Sequence, residues 1–327
     1  MRAQIKAAIR RHFEADGFIE VEPGCLQVSP GNEAHLHAFA TEYRDDAGTR
    51  RPLFLHTSPE FAMKKLLAAG EQRIFAFAPV FRNRESGNRH AFEFTMLEWY
   101  RADATYDRIR DDCTAILHIA AQTSGAESWH HAGRTIEPRA MPHRITVAEA
   151  FHTHAGIDLL ATLDTAGAPD RAAMARQAES VGIRVAPDDT WGDLFSRVLV
   201  DRVDPALAAM PTPVFLDEYP AHEAALARRT AHDPRLAERF ELFVGGLELA
   251  NCFGELTDPA EQRKRLEAEM VEKMRVYGER YPLDEDFLAA LASMPPASGG
   301  ALGFDRLVML ATGADRIDQV QWTPLQP

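Results

Sequence analysis

The chain has 327 residues, 46% of them hydrophobic and 26% charged, which allows one large or two ordinary domains with a sizeable core and is usual for a soluble globular protein. Against 49 Asp and Glu it sets only 36 Lys and Arg, a net charge of -13, and this argues against a protein that holds nucleic acid mainly through a basic surface. No apolar run approaches bilayer length, the N-terminus lacks a signal-peptide core, and Cys25, Cys113 and Cys252 match no metal spacing, so reduced thiols, a cytoplasmic location and no membrane partner are expected.

Met1 to Asp16 places Ile5, Ile9 and Phe13 at helical spacing and stops at Gly17, and Phe18 to Val21 reads as a short strand before a Pro23-Gly24 turn. Past a loop with Pro30, Gly31 and Asn32, the strand candidate Leu53 to His56 feeds Thr57-Ser58-Pro59-Glu60 and the helical run FAMKKLLAAG. A hydroxyl, a proline and an acid in that order predict a capped helix start aimed above the sheet. Next come two strands, Ile74 to Phe81 and Phe92 to Tyr100, joined by a polar basic loop from Arg82 to Ala91. The period of two puts Phe94, Met96, Glu98 and Tyr100 on one face, with Thr95, Leu97 and Trp99 on the other. A carboxylate flanked by aromatic residues is costly to bury without a purpose.

Thr105 to Thr123 predicts a helix closed by Gly125. From Ala126 to about Pro213, helical patterns at Val147 to His154, Arg171 to Val181 and Thr190 to Val203 suggest a helical insertion between two halves of one sheet. Its histidines His130, His131, His152 and His154 lack a consistent ligand spacing and read as surface residues. Val214 to Tyr219 is a strand, and Ala237 to Leu256 is a second hairpin turning at Gly245-Gly246. There Glu241 and Glu248 face each other across the turn, while Asn251, Phe253 and Glu255 follow at period two. Two facing carboxylates repel unless a cation such as Mg²⁺ lies between them. Asp258 to Tyr281 reads as a solvated outer helix, and Pro295 to Thr312 as a glycine-rich turn leading into a helix near Phe304, with Arg306 in its first turn.

These stretches carry a resemblance. GFIEVEP, FRNRE with EFTMLEWY, and GGALGFDRL are similar, in order and spacing, to the three signature motifs of class II aminoacyl-tRNA synthetase cores. TSPEFAMKKLL and ERFELFVGGLELANCFGELTD resemble the lysyl branch, and the match spans nearly the whole chain. With TSPE, LEWY and no room for an anticodon-binding domain, the chain resembles the ligases of that branch that place β-lysine on elongation factor P. The resemblance implies an α+β fold, an antiparallel sheet flanked by helices, forming one catalytic domain over 1–327 with the insertion at about 126–213. It further implies ATP and Mg²⁺, a homodimer formed through the first motif, elongation factor P as protein substrate, and no tRNA partner.

By the same resemblance, Arg82 and Arg306 are the catalytic residues. Glu85, Phe94, Glu248, Leu249 and Gly303 join them on ATP, with Phe94 under the adenine and Arg306 covering it, and Glu241 with Glu248 takes the metal. Arg82 and Asn251 take the substrate carboxylate, Glu60 and Glu98 take the near amine, Tyr100 and Glu255 meet the distal one, and Ser58 is among the substrate-binding residues. The chain departs from the family pattern at Pro23, one place early, at Arg84 in place of a glutamate, so that Glu85 has to supply the acid, and at Ala91 in place of an asparagine. Ala301 stands where lysyl-tRNA synthetases have glycine, and its methyl favours β-lysine over α-lysine by about 1–3 kcal/mol. A tRNA-charging enzyme without the anticodon domain and a non-catalytic regulatory paralogue are the alternatives.

Overall fold

Residues 1–325 are described by the computed structural model. Helix α1 (Arg2–Ala15) buries Ile5, Ile9 and Phe13 along one stripe and ends at Gly17, whose φ of 79° suits glycine. Four short strands follow, β1 (Ile19–Glu20), β2 (Leu26–Gln27), β3 (Phe39–Arg44) and β4 (Arg50–Leu55), and then α2 (Glu60–Ala68). The first hairpin is β5 (Arg73–Phe81) with β6 (Glu93–Ala102), paired from Arg73 with Arg101 to Phe81 with Glu93. Helix α3 (Tyr106–Ser124) closes at Gly125, as its sequence predicts.

Residues 126–213 carry more strand than their helical periodicity suggests. They begin with a small hairpin, β7 (Trp129–His131) and β8 (Arg134–Ile136), and continue into β9 (His143–Thr146). Only then come α4 (Val147–Ala150), α5 (Arg171–Ser180), α6 (Trp191–Val198) and α7 (Asp204–Ala208). Strand β9 joins the edge of the main sheet, so the segment supplies a strand to that sheet as well as helices. Three or four residues are too short a run for alternation to register, which is why the pattern missed these strands. Of the four histidines read as surface residues, His131 is buried.

After β10 (Val214–Asp217), the second hairpin is β11 (Arg239–Val244) with β12 (Leu247–Gly254), turning at Gly245 and Gly246, both at positive φ. Helices α8 (Pro259–Tyr277) and α9 (Glu285–Leu291), strand β13 (Ala297–Gly303) and helix α10 (Phe304–Thr312) complete the chain. The glycine-rich stretch before Arg306 is therefore a central strand, not a turn. Its neighbours dictate the composition: a Cβ on Gly299 would stand 2.3 Å from the Tyr100 ring, and one on Gly300 2.6 Å from the Cys252 sulfur.

Eight strands form one sheet in the order β1-β5-β6-β13-β12-β11-β10-β9. The inner pairings from β5 to β10 all run antiparallel, and a parallel strand closes each edge, β1 beside β5 and β9 beside β10. Strands β2, β4 and β3 make a separate three-stranded sheet; Phe39–Arg44, almost wholly exposed, offers no alternation to find. Leu97 and Trp99 point into the largest core, which α1, α3 and α10 cover. A second core gathers Phe151, Trp191 and Phe195 of the 126–213 segment, and a third packs α2 and α9 against Ile74, Ala76 and Tyr100. The sheet is thus sealed by helices on one face and left open over the middle of the other. Helix α8 contributes to that open face rather than lying in solvent, for it buries Gln262, Leu266, Met270 and Lys273. Among the described residues no helix is long and apolar enough to cross a membrane.

Candidate active site

The register of the central strands lays functional side chains out in rows. One row crosses Glu241, Asn251, Ala301 and Glu98, on β11, β12, β13 and β6 in turn. The next row runs Arg239, Phe253, Gly299 and Tyr100. In both, β13 supplies the smallest side chain; the Tyr100 ring fills the space over Gly299, and the trough opens over Ala301 and Gly303. The opposing wall is the loop from Glu33 to Leu36, and the ends are the Arg82–Ala91 loop and the start of α10. The resulting cleft holds about 370 Å³, a size that suits a small-molecule ligand.

Most residues expected at the site line this cleft: Ser58, Glu60, Arg82, Glu85, Phe94, Glu241, Glu248, Leu249, Asn251, Ala301, Gly303 and Arg306. A β-bulge brings Glu248 there. Leu242 pairs with Ala250 and Phe243 with Glu248, so Leu249 is the extra residue, and the parity of β12 changes across it. Glu248 thereby joins the face of Asn251 and Phe253. It does not sit opposite Glu241, as the hairpin pattern suggests; Asn251 does, and the cation on Glu241 is Arg239, 2.5 Å away. The same guanidinium donates to Asn251 Oδ1 at 3.2 Å and lies 4.2 Å over the Tyr219 ring.

At the basic end, the Arg82 guanidinium sits 5.4 Å over the Phe94 ring and donates to the Thr57 carbonyl at 3.2 Å. Arg306 donates to the Glu248 carbonyl at 2.6 Å and lies 2.8 Å from His90 Nε2. Both cations thus face the cleft with donors to spare. Glu85 lines the cleft 4.0 Å from Arg82. Arg84 turns away instead: at φ 65° it reaches Glu279, beyond the mouth.

Three expected residues, Glu98, Tyr100 and Glu255, lie one layer beneath the cleft surface, at 1%, 3% and 1% exposure. They are there because buried polar groups collect partners within the protein. Glu98 accepts 2.6 Å hydrogen bonds from the Ser58 and Tyr100 hydroxyls. The hydroxyl of Ser58 is thus spent on Glu98; helix α2 begins at Pro59 without the side-chain cap its sequence suggests, although the Glu60 amide reaches Ser58 Oγ at 3.3 Å. Burial, reinforced by Glu60 nearby, pushes the Glu98 carboxyl up to about 8, beyond what the two hydroxyls and Lys64 pull back. The Tyr100 hydroxyl is raised well above its ordinary value by burial and by Glu98.

Lys64, which the motif reading passes over, is the other buried partner. Its ammonium lies 2.5 Å from Glu60 Oε1 and 2.5 Å from Glu255 Oε2, wholly out of solvent. Although burial opposes the charge, the two carboxylates hold the Lys64 pKa above its usual value. Glu255 is nevertheless raised to about 7, since burial and Glu60 outweigh the shared cation. Neither Glu255 oxygen makes a properly directed hydrogen bond, so its support is charge alone, mainly the close ammonium and secondarily the more distant Arg228. Spacing could have revealed Lys64, four residues after Glu60 on one helix face, and Arg239, two before Glu241 on one strand face.

A family model described as tRNA synthetases class II (D, K and N) matches residues 1–326. An elongation factor P--(R)-beta-lysine ligase of Vibrio cholerae is 35% identical over 327 residues, 99% of this chain and 94% of its own length. That of Sodalis glossinidius is 38% identical over 321 residues, 98% of this chain and 92% of its own. A lysine--tRNA ligase of Pelotomaculum thermopropionicum is 35% identical over 326 residues, 99% of this chain but 62% of its own length. With a family match from end to end, and an antiparallel sheet presenting two arginines and a bed of carboxylates in one cleft, this chain belongs to the class II tRNA synthetases of the D, K and N group.

Proposed function

We propose that the protein uses ATP to activate (R)-β-lysine as an acyl-adenylate and transfers it to a lysine side chain of elongation factor P, acting as a cytoplasmic homodimer without tRNA. The observation that carries this reading is the 35–38% identity to ligases so named, along 92–94% of their length. The cleft supports it, with guanidinium groups at one end and a bed of carboxylates under the other. A diamino acid with one carboxylate has that same polarity.

The resemblance assigns the residues their work, and the arrangement of the cleft supports it. Arg82 and Arg306 offset the negative charge that builds as a carboxylate meets an α-phosphate, and the rigid cleft fixes the approach. Phe94 offers a flat apolar surface for the adenine. Because Asn251 accepts from Arg239 through its carbonyl oxygen, its amide N–H groups remain to donate to the substrate carboxylate. Glu60 and Glu98 hold the amine nearer that carboxylate, and Tyr100 with Glu255 the distal one. Glu241 and Glu248 both open into the cleft, and among the described residues no third His, Cys, Asp or Glu completes a metal-holding group with them. Two carboxylates suit Mg²⁺, which keeps waters and phosphate oxygens as its remaining ligands. Bound there, it neutralises charge on the phosphate chain.

The direct test is incubation with ATP, (R)-β-lysine and elongation factor P, followed by intact-mass measurement of the acceptor. A gain of one lysyl group is expected; an unchanged acceptor would defeat the proposal, and transfer to tRNA would favour the charging alternative. Ala301 bears on the isomer. Its methyl lies between Asn251 and Glu98, at the point where an α-amino group would cross the floor. Pyrophosphate exchange is expected to prefer β-lysine over α-lysine by about 10-fold or more, the worth of one methyl in a pocket. Replacement of Ala301 by glycine narrows the preference, and an unchanged ratio would clear the methyl of that role.

A further inference from the structure

The buried carboxylates at and beneath the cleft floor number one more than a diamino acid has ammonium groups. Glu60 on α2, Glu98 on β6 and Glu255 just past β12 face a common space, and Lys64 enters it from α2. Among the described residues no other cation engages them directly. Arg228, the next nearest to Glu255, is committed to Glu238 at 2.6 Å. We propose that Lys64 is a resident third ammonium, a positioning residue that fixes the ionised charge of this pocket at minus two and so makes it specific for a dicationic amino acid. The inference rests on the diamino-acid reading above and goes beyond it, because Lys64 touches no part of the cleft surface.

Charge matching gives the reason. Three carboxylates and one lysine, all ionised, leave two negative charges, which two substrate ammonium groups cancel. An amino acid with a single ammonium leaves one buried carboxylate bare, and that costs more than its missing contact. Without substrate the excess charge is relieved by protons, in keeping with the raised values of Glu98 and Glu255. A diamino acid therefore has to displace protons as it binds, and its affinity should rise with pH until these carboxylates are ionised. Of the other titratable neighbours, Glu33 faces Glu60 from the wall loop and is raised by burial, the Cys252 thiol near Glu255 on β12 is raised well above its ordinary value by burial, and Tyr100 stays protonated and donates to Glu98.

Removal of Lys64 takes away the cation that favours ionisation, so the carboxylates hold their protons to higher pH. In Lys64→Met the KM for β-lysine in pyrophosphate exchange is expected to rise about 10-fold or more, the usual penalty for unpairing a buried charge. The rise of affinity with pH should move to more alkaline pH, while the KM for ATP stays as it was. Should Lys64→Met fail to fold, the double variant Lys64→Met/Glu255→Gln removes one charge of each sign and restores the count. Its pH midpoint should return toward that of the unaltered enzyme even though KM stays raised by the loss of Glu255. A Lys64→Met enzyme with unchanged KM and midpoint overturns the proposal, as does a double variant whose midpoint fails to return. If the unaltered enzyme shows no exchange with any diamino acid, the functional reading fails first and this inference with it.

Discussion

Arg306→Ala is expected to lower ATP–pyrophosphate exchange by about 10²–10³-fold, the usual loss when one fixed donor to developing charge is removed. Three partners hold the guanidinium at the cleft end: the Glu248 carbonyl at 2.6 Å, His90 Nε2 at 2.8 Å and the Arg89 carbonyl at 3.3 Å. All come from the protein's own loops and strands, so the arginine is in position before substrate arrives and needs no reorganisation during reaction. Its pKa is lowered by burial, yet an arginine stays protonated at any working pH. Lysine at this position keeps the charge without the fork, and its exchange rate should fall between arginine and alanine. Thermal melting should barely move, because these three hydrogen bonds sit at an open cleft where water can take their place. A variant with undiminished exchange would remove Arg306 from the chemistry.

Arg101→Ala acts on the sealed side of the sheet, at the end of β6, and should cost stability, about 3–5 kcal/mol, the penalty for leaving a buried charge without its partner. Arg101 clasps Asp112 of α3 through two 2.7 Å hydrogen bonds and Asp16 through a third at 2.6 Å, with the Phe18 ring 4.4 Å below. Arg101 is 4% exposed and Asp112 2%. Asp112 retains only the Trp99 indole N–H at 3.1 Å when the guanidinium goes. The measurement is the urea midpoint at constant slope. Below that midpoint the KM for each substrate should be unchanged, since the cluster lies across the sheet from the cleft. A midpoint shift that, multiplied by the slope, amounts to only about a few tenths of a kcal/mol would show that Asp112 finds water or a proton instead.

What the sequence discloses, and what it hides, follows from range. The hairpin from β5 to β6 is legible, because an apolar run and an alternating one, nine and ten residues long as strands, flank a charged, glycine-containing loop. Helices α1 and α3 are as plain, each ending at its glycine. Strand β13 hides, because its composition answers to Tyr100, Trp99 and Cys252 on neighbouring strands rather than to any local preference. The bulge at Leu249 hides too, since nothing in the residues of β12 marks which one the partner strand skips. Motif likeness does collect most of the cleft residues in advance. It passes over Lys64 and Arg239, which bind no substrate in the pattern but decide which carboxylates carry a free charge.

One surface residue has a mechanical meaning. Glu279 holds His37, which directly follows the opposing wall in the chain, at 3.0 Å and Arg84 of the basic loop, one oxygen for each. Two lips of the cleft are therefore tied to a single post, and neither swings out without straining the tie on the other. The tie is partly exposed, and ion pairs of that kind are worth about 0–1 kcal/mol. The mouth is thus latched rather than locked, since a tie of that worth is comparable to thermal energy.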